Sequence, residues 1–246
     1  MTLIAAAVPL TTLLSFGNIG YGDELFWAAL RTLEISILGY ALGLVLGLAG
    51  ALGKIAGPIW LRRVLAVYTT LFRALPELIL IMLLYYAGTD GANRLFALLG
   101  IGALQVNGMI VAICVLGVVQ GAYSTEVLRA GISAVPIGQL EAANALGMSA
   151  RLRFRRITLP AMLPHALPGL ANLWLNITKD SALVSIVGYT ELALAAQQAA
   201  GVTKQYFAIY LVAQGIYLTI SLTSVWLFSL AEKNLRRGES HARGLG

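Results

Sequence analysis

Long apolar runs nearly free of charge restrict this chain more than any other feature. Four stand out, at about 25–50, 65–87, 107–120 with its continuation, and 207–230. A fifth, 167–188, is interrupted by Lys179 and Asp180, so a hydropathy window alone would pass over it. A helix needs about 20 mostly apolar residues to cross the hydrocarbon of a bilayer. Composition agrees. Of 246 residues 59% are hydrophobic and 11% charged, where soluble domains carry roughly a quarter of their residues as Asp, Glu, Lys and Arg. Disorder is excluded as well, because it needs few apolar residues and many charges. The chain therefore reads as an all-α integral membrane protein with five transmembrane helices, short loops and no second large domain.

The organisation follows along the chain. Residues 1–22 are expected to form an extracytoplasmic or interfacial segment: 1–16 are apolar, but no Lys or Arg precedes them, which argues against a signal peptide. Residues 23–233 hold the five spans, with a cytoplasmic loop at about 133–160, and 234–246 form a polar tail. Lys and Arg set the orientation. Lys54, Arg62 and Arg63, then Arg129, Arg151, Arg153, Arg155 and Arg156, then Lys233, Arg236, Arg237 and Arg243 all fall on one side. Only Arg94 and Lys204 fall on the other, and Arg31, Arg73 and Lys179 lie within spans. The positive-inside rule puts the C-terminus in the cytoplasm and the N-terminus outside. The net charge of +6 is thus a topology signal and not a nucleic-acid footprint.

Several motifs reduce to packing. The string from Gly47 to Lys54 resembles a phosphate loop but has Leu48 where glycine is needed, and Ile55 follows the lysine. Gly39, Gly43 and Gly47, like Gly117 and Gly121, have the small-xxx-small spacing that lets helix backbones approach, most simply within one subunit. Cys114 is the single cysteine, so no disulfide or Cys-based metal site is expected; it reads as a small buried hydrophobe. His165 and His241 lack the partners that metal binding or acid–base catalysis would need.

The segment 141–160 is the most specific. It reads Glu141-Ala142-Ala143, three residues, Gly147, nine residues, then Ile157-Thr158-Leu159-Pro160. Physically this is a short helix from about Ile137 to Leu146, stopped at Gly147. A second element bearing four arginines follows, and Pro160 opens the next helix. The pattern is similar to the cytoplasmic-loop signature of permease subunits of bacterial ATP-binding-cassette importers and matches it at every fixed position. The resemblance runs from about Arg31 to Arg237. It includes Arg73-Ala-Leu-Pro76, Gly121-Ala-Tyr-Ser-Thr-Glu126 and Lys179-Asp180-Ser181-Ala-Leu-Val-Ser185, which resemble the polar amino acid subfamily, near permeases for histidine, arginine and opines.

That resemblance implies a type I importer permease fold in the bacterial inner membrane. Its expected partners are a second permease, more readily a sister chain than a copy, a dimer of cytoplasmic ATP-binding subunits and a periplasmic solute-binding protein. ATP would be bound by the ATPase, so this chain needs no cofactor or metal and is not itself an enzyme. The Glu-Ala-Ala helix would be the coupling helix, with Glu141, Ala142, Ala143 and Gly147 as ATPase contacts. One departure is Glu77, since many relatives read Arg-Gly-Thr-Pro-Leu where this chain reads Arg-Ala-Leu-Pro-Glu.

Ionisable groups at membrane depth cost about 2.5–3.5 kcal/mol on insertion scales and so mark paired or cavity-lining positions. Arg73 and Glu77 are four apart and are expected to pair on one helix, with Pro76 loosening the backbone between them. Lys179 and Asp180 are adjacent and point about 100° apart. Gln120, Tyr123 and Glu126 recur near one face, Ser181 follows Asp180, and Glu34 is a weaker candidate. Glu77 and Asp180 could accept the positive groups of a cationic zwitterion, with Arg73 or Lys179 donating to its carboxylate. The alternative is a secondary transporter driven by an ion gradient through Glu77 and Asp180, which leaves the Glu-Ala-Ala loop without a purpose.

Overall fold

The computed structural model describes residues 20–99 and 107–243, with isolated positions 9, 12 and 14–17 before them. Beyond position 235 only the helical backbone is described. The segment expected over 1–22 lies almost wholly outside the described residues. All regular structure among these residues is helical. The helices are α1 (Gly22–Ala56), α2 (Ile59–Ala74), α3 (Glu77–Leu98), α4 (Gly108–Ser133), α5 (Ile137–Ala145), α6 (Ala150–Arg153), α7 (Leu159–Asp180), α8 (Leu192–Thr203) and α9 (Tyr206–Arg243). A π-helical turn, Phe154–Thr158, joins α6 to α7, and a 3-10 segment, Ser181–Val187, follows α7.

Among the described residues three helices, α1, α4 and α9, are long and apolar enough to cross a membrane, and the pair α2–α3 adds a fourth if its bent halves count as one span. The break in that pair corrects the expectation of one helix merely loosened at Pro76. Leu75 and Pro76 are extended, and the two helices diverge by 119°. Proline has no N–H and drives the residue before it out of the helical region, so the helix stops at Ala74 and restarts at Glu77. Helix α7 is less apolar than these, because Pro164, His165, Pro168, Asn172 and Asn176 dilute its Leu-rich sequence. The chain from Ala150 to Asp180 nevertheless stays helical, because the Leu159 N–H bonds back five residues to the Phe154 carbonyl where Pro160 interrupts the usual ladder. At the other end, α9 continues as one helix to Arg243.

Helix α1 threads all three core clusters. Leu25, Ala28 and Ala29 pack on α8 and α9; Ile35 packs on α3, α4 and α7; Ala51 packs beside Leu128, Met162 and Ala166. Its main partner is α4, which it meets almost backbone to backbone. A Cβ added at Gly43 would lie 2.8 Å from Gln120 Cβ, one at Gly47 2.4 Å from Ser124 Cβ, and one at Gly50 2.3 Å from Thr125 Oγ1. The numbers differ by 77 at Gly39–Leu116, Gly43–Gln120 and Gly47–Ser124, so the helices run parallel in fixed register. The glycine spacing therefore serves packing within the chain, as its simpler reading held. Tyr40 fastens α7 to this pair by donating to the Leu170 carbonyl at 2.8 Å.

The outside of the bundle is apolar. Phe207 is 82% exposed, and Trp27, Val45, Leu83, Leu222 and Trp226 also face outward. A surface of this kind matches lipid or further membrane helices as its solvent. Cys114 belongs to it: the thiol is exposed and lines an apolar groove with Leu84, Gly88 and Val118, which corrects its reading as buried.

The seam sets a testable asymmetry. Gly47→Ala should force α1 from α4 and lower stability by about 1–3 kcal/mol, read as a fall in Tm of the purified protein. Gly215→Ala, with nothing within 4 Å of its added Cβ, should leave Tm unchanged or slightly raised.

Candidate functional site

The break at Pro76 builds the first part of the site. It places Arg73 at the end of α2 and Glu77 at the start of α3, so the two do not form the ion pair expected of one straight helix; Tyr123 of α4 comes between them. Its hydroxyl donates to Glu77 Oε1 at 2.9 Å. The Arg73 guanidinium carbon lies 5.9 Å from the Tyr123 ring centroid, a cation–π distance. Asp180, at the end of α7, lies within electrostatic reach of Glu77, Tyr123 and Lys179. Four helices thus bring Arg73, Glu77, Tyr123 and Asp180 together. Neither carboxyl is in a salt bridge among the described residues, although Lys179 and Arg73 are close and exposed.

Three residues expected beside that cluster are used elsewhere. Gln120 is turned into the α1–α4 seam, buried against Gly43. Ser181 is buried and donates to the Thr178 carbonyl at 2.8 Å, satisfying the end of α7. Glu126 lies one turn beyond Tyr123, where α1 ends, and it meets Lys54 there: Nζ to Oε1 is 2.5 Å, with side chains 12% and 18% exposed. Arg129 donates to the other carboxylate oxygen at 2.9 Å, and Lys54 also donates to Thr69 Oγ1 at 2.6 Å. Glu126 therefore ties α1, α2 and α4 together. Its register explains the misreading, because Gln120, Tyr123 and Glu126 at spacings of three residues drift around the helix and meet different neighbours. Glu34 is exposed on α1.

The second part is the surface helix α5. It ends as its sequence demands: Leu146 closes the helix and Gly147 takes φ +71°, a left-handed conformation that glycine adopts without strain. Ser149 then caps α6 by accepting from the Leu152 N–H. Arg153 donates to the Asn144 side chain, fixing α6 against α5. Glu141 and Ala142 face outward, flanked by Ile137 at 74% and Leu146 at 76% exposed. Ala143 points inward and is buried, so it seats the helix on its own fold and cannot be an outward contact. A groove of about 830 Å³ runs beside this helix, between Pro136, Gln139, Arg156, His165 and the end of α9.

Sequence reasoning missed one buried hub. Glu191, fully buried, caps α8 by accepting from the Ala193 N–H at 2.7 Å. Its other oxygen accepts from Thr32 of α1 at 3.0 Å and Tyr217 of α9 at 2.7 Å. A carboxylate just before the apolar run Leu192–Ala196 is an N-cap signal that could have found it. No group of His, Cys, Asp and Glu suited to a metal occurs among the described residues.

An apolar-faced helical bundle with a charged cluster drawn from four helices, and a short surface helix ended by a left-handed glycine, fits a membrane-embedded transport subunit. The model of the binding-protein-dependent transport system inner membrane component family matches residues 39–237, and the chain belongs to that family. It is 40% identical over 232 residues to the nopaline transport system permease protein NocQ of Agrobacterium fabrum, covering 92% of this chain and 97% of that one. It is 37% identical over 227 residues to the octopine transport system permease protein OccQ of Rhizobium radiobacter, covering 92% and 96%. It is 35% identical over 223 residues to the histidine/lysine/arginine/ornithine transport system permease protein HisQ of Escherichia coli, covering 91% and 98%. Among solved structures it resembles the crystal structure of an amino acid ABC transporter with histidines, at TM-score 0.72 and 29% identity over 87% of this chain and 95% of that one. The chain is thus a permease subunit of an ABC importer, and its relatives are transporter subunits, not enzymes.

The Lys54–Glu126 contact can be weighed by a double-mutant cycle. Lys54→Met and Glu126→Leu should each lower stability by more than the double variant requires, leaving a coupling of about 1–3 kcal/mol, measured as denaturation midpoints of the purified protein.

Proposed function

We propose that this permease passes polar, cationic amino acids or opines through the membrane, with Glu77 and Asp180 selecting the positive group. The observation that carries this reading is the pair of neighbouring carboxyls at membrane depth, neither of them in a salt bridge among the described residues. The two carboxyls lie within hydrogen-bond reach of each other; when both are ionised they repel, and a guanidinium or ammonium between them relieves the repulsion while satisfying their acceptors. Tyr123 holds Glu77 in place by its hydrogen bond. Arg73, spread over the tyrosine ring, limits how negative the site becomes when empty. The names of the relatives support the substrate class, since they include opine and basic amino acid systems.

In this reading the bent pair α2–α3 is one span, and α7 with the 3-10 segment is another, which restores five. The α5 end faces the cytoplasm, where the basic loop residues gather. There α5 seats in a groove of a cytoplasmic ATPase dimer, presenting Glu141 and Ala142 between Ile137 and Leu146, while Gly147 shapes the turn that follows. A second permease covers part of the apolar outer face, and a periplasmic solute-binding protein delivers the solute to the opposite end. ATP stays with the ATPase. A secondary transporter would also use Glu77 and Asp180, but it gives the exposed apolar ends of α5 no role.

Two outcomes follow. In proteoliposomes holding the complete transporter, Glu77→Leu should cut arginine uptake at least tenfold without loss of subunit assembly; undiminished uptake would sink the selectivity role. Gly147→Val, strained at positive φ by about 1–2 kcal/mol, and Glu141→Ala should each reduce co-purification of the ATPase, whereas Ala143→Gly should affect it only through stability. Uptake that ignored ATP and followed a proton gradient would favour the secondary transporter.

A further inference from the structure

At the end of the bundle opposite α5 lies a cavity of about 370 Å³, lined by Arg31, Tyr85, Asn107, Gly108, Tyr189 and Thr190. Its place follows from the seam. The parallel register that pairs Gly47 with Ser124 sets Arg31 of α1 against Gly108, the first residue of α4. The 3-10 segment after Asp180 closes the third side: Gly188, at φ +88°, turns the chain so that Tyr189 and Thr190 border the same space. From α3 comes Tyr85, whose hydroxyl lies so near Gly108 that a Cβ there would be 3.1 Å from it.

The direct lining carries one cation and several hydroxyls, with the Glu34 and Glu191 carboxylates acting on Tyr189 from behind it. Arg31 is a cation with no salt bridge or hydrogen bond among the described residues, although Glu34 is three residues along the same helix. Tyr85, Tyr189 and Thr190 add hydroxyl groups, while the Asn107 side chain is already spent on the Met109 N–H at 2.9 Å. No carboxylate is among the lining residues. A guanidinium presents a planar fork of N–H donors that matches a carboxylate through two parallel hydrogen bonds. The start of α4 adds the positive end of a 26-residue helix. The volume is in the range of small-molecule sites.

We propose that this cavity is an entry station that binds the carboxylate of the solute, with Arg31 as its principal ligand and the Tyr85 and Tyr189 hydroxyls as secondary donors. It rests on the reading of the chain as an amino acid or opine permease and adds a subsite to it. Tyr85 lies eight residues along α3 from Glu77, about 12 Å by helical rise. The carboxylate station and the acidic pair are therefore successive positions along one path. A solute is held first by its negative end, and it is released inward as Glu77 and Asp180 take its positive end. The division also resolves a difficulty of the deeper cluster, where Arg73 is occupied by the Tyr123 ring and offers a poor fork to a carboxylate.

The test uses the complete transporter in nanodiscs without its solute-binding protein, so that binding reports on the membrane subunits. Binding of L-arginine and L-argininamide is compared, together with L-leucine and L-leucinamide. Wild type should prefer each free carboxylate over its amide by tenfold or more. Arg31→Gln should bring acid and amide to within about twofold of each other, Arg31→Lys should recover part of the preference, and Tyr85→Phe should lower it by a smaller factor. An acid-over-amide preference that survives Arg31→Gln overturns the proposal. So does an Arg31→Gln effect that appears only when the solute-binding protein is added back, which would make Arg31 a contact for a carboxylate of that protein. If leucine shows the Arg31-dependent preference while arginine does not bind, the carboxylate station stands and the cationic selectivity of the deeper site falls.

Discussion

The close approach of α1 and α4 is the contact on which the rest of the molecule depends. Lipid chains are as apolar as leucine, so burial of apolar area does little to choose one helix pairing over another inside a membrane. What distinguishes this pairing is distance. Gly39, Gly43, Gly47 and Gly50 put no side chain of α1 between the backbones, and Gln120, Ser124 and Thr125 of α4 fill the space. The seam holds by packing despite a polar cost, because Ser124 Oγ and Gln120 Nε2 are buried without a partner among the described residues. Thr125 avoids that cost by donating to its own Gly121 carbonyl at 2.7 Å. Once the register is set, everything fastened to either helix has its height in the bundle determined.

Two elements are attached less rigidly, and proline is the reason in both. Pro76 divides what would be a single span into α2 and α3, and the divergence of 119° puts Arg73 and Glu77 on either side of the Tyr123 ring. A straight helix would have let those two charges neutralise each other at spacing four. Breaking it leaves Glu77 free to face Asp180. In α7, Pro160, Pro164 and Pro168 remove three backbone donors, and the π turn before Pro160 takes up the change of register. The Tyr40 bond to the Leu170 carbonyl, and the T-shaped contact of Tyr40 with Trp174 at 5.4 Å, hold the softened helix against the rigid pair.

Local signals were legible in the sequence, and contacts between distant segments were not. The end of α5 at Gly147 and the glycine faces follow from short-range rules, and the structure has them where those rules put them, whereas the helix expected to open at Pro160 is already running from Ala150. Gln120 and Glu126 were misplaced because helical periodicity says which residues share a face but not which neighbour that face meets. Lys54 and Glu126 are lone opposite charges at the ends of two apolar runs 72 residues apart, and their pairing needs the parallel register to be known. Ala143 was assigned outward with its motif, yet a nine-residue helix lying on a surface must turn some of its small residues inward to sit down at all.

The same register explains how the two ends can be chemically different and mechanically joined. Helix α4 is unbroken from Gly108, which borders the Arg31 cavity, through Tyr123 in the acidic cluster and Glu126 in the Lys54 contact, to Ser133. Only Ala134, Val135 and Pro136 separate it from α5. Tyr123 to Ser133 is about 15 Å of continuous helix. A displacement of α5 therefore reaches the Tyr123 hydroxyl through one stiff element, and α1 must move with it, because the glycine seam leaves no room to slide and Lys54 holds the lower end. Helices α2 and α3 can lag, since their link to the pair passes through the Pro76 break. Relative motion at that break changes the distance between Glu77 and Asp180, the two groups proposed to take the positive end of the solute. Motion at the surface helix and at the Pro76 break thus converge on the cluster of Glu77, Tyr123 and Asp180.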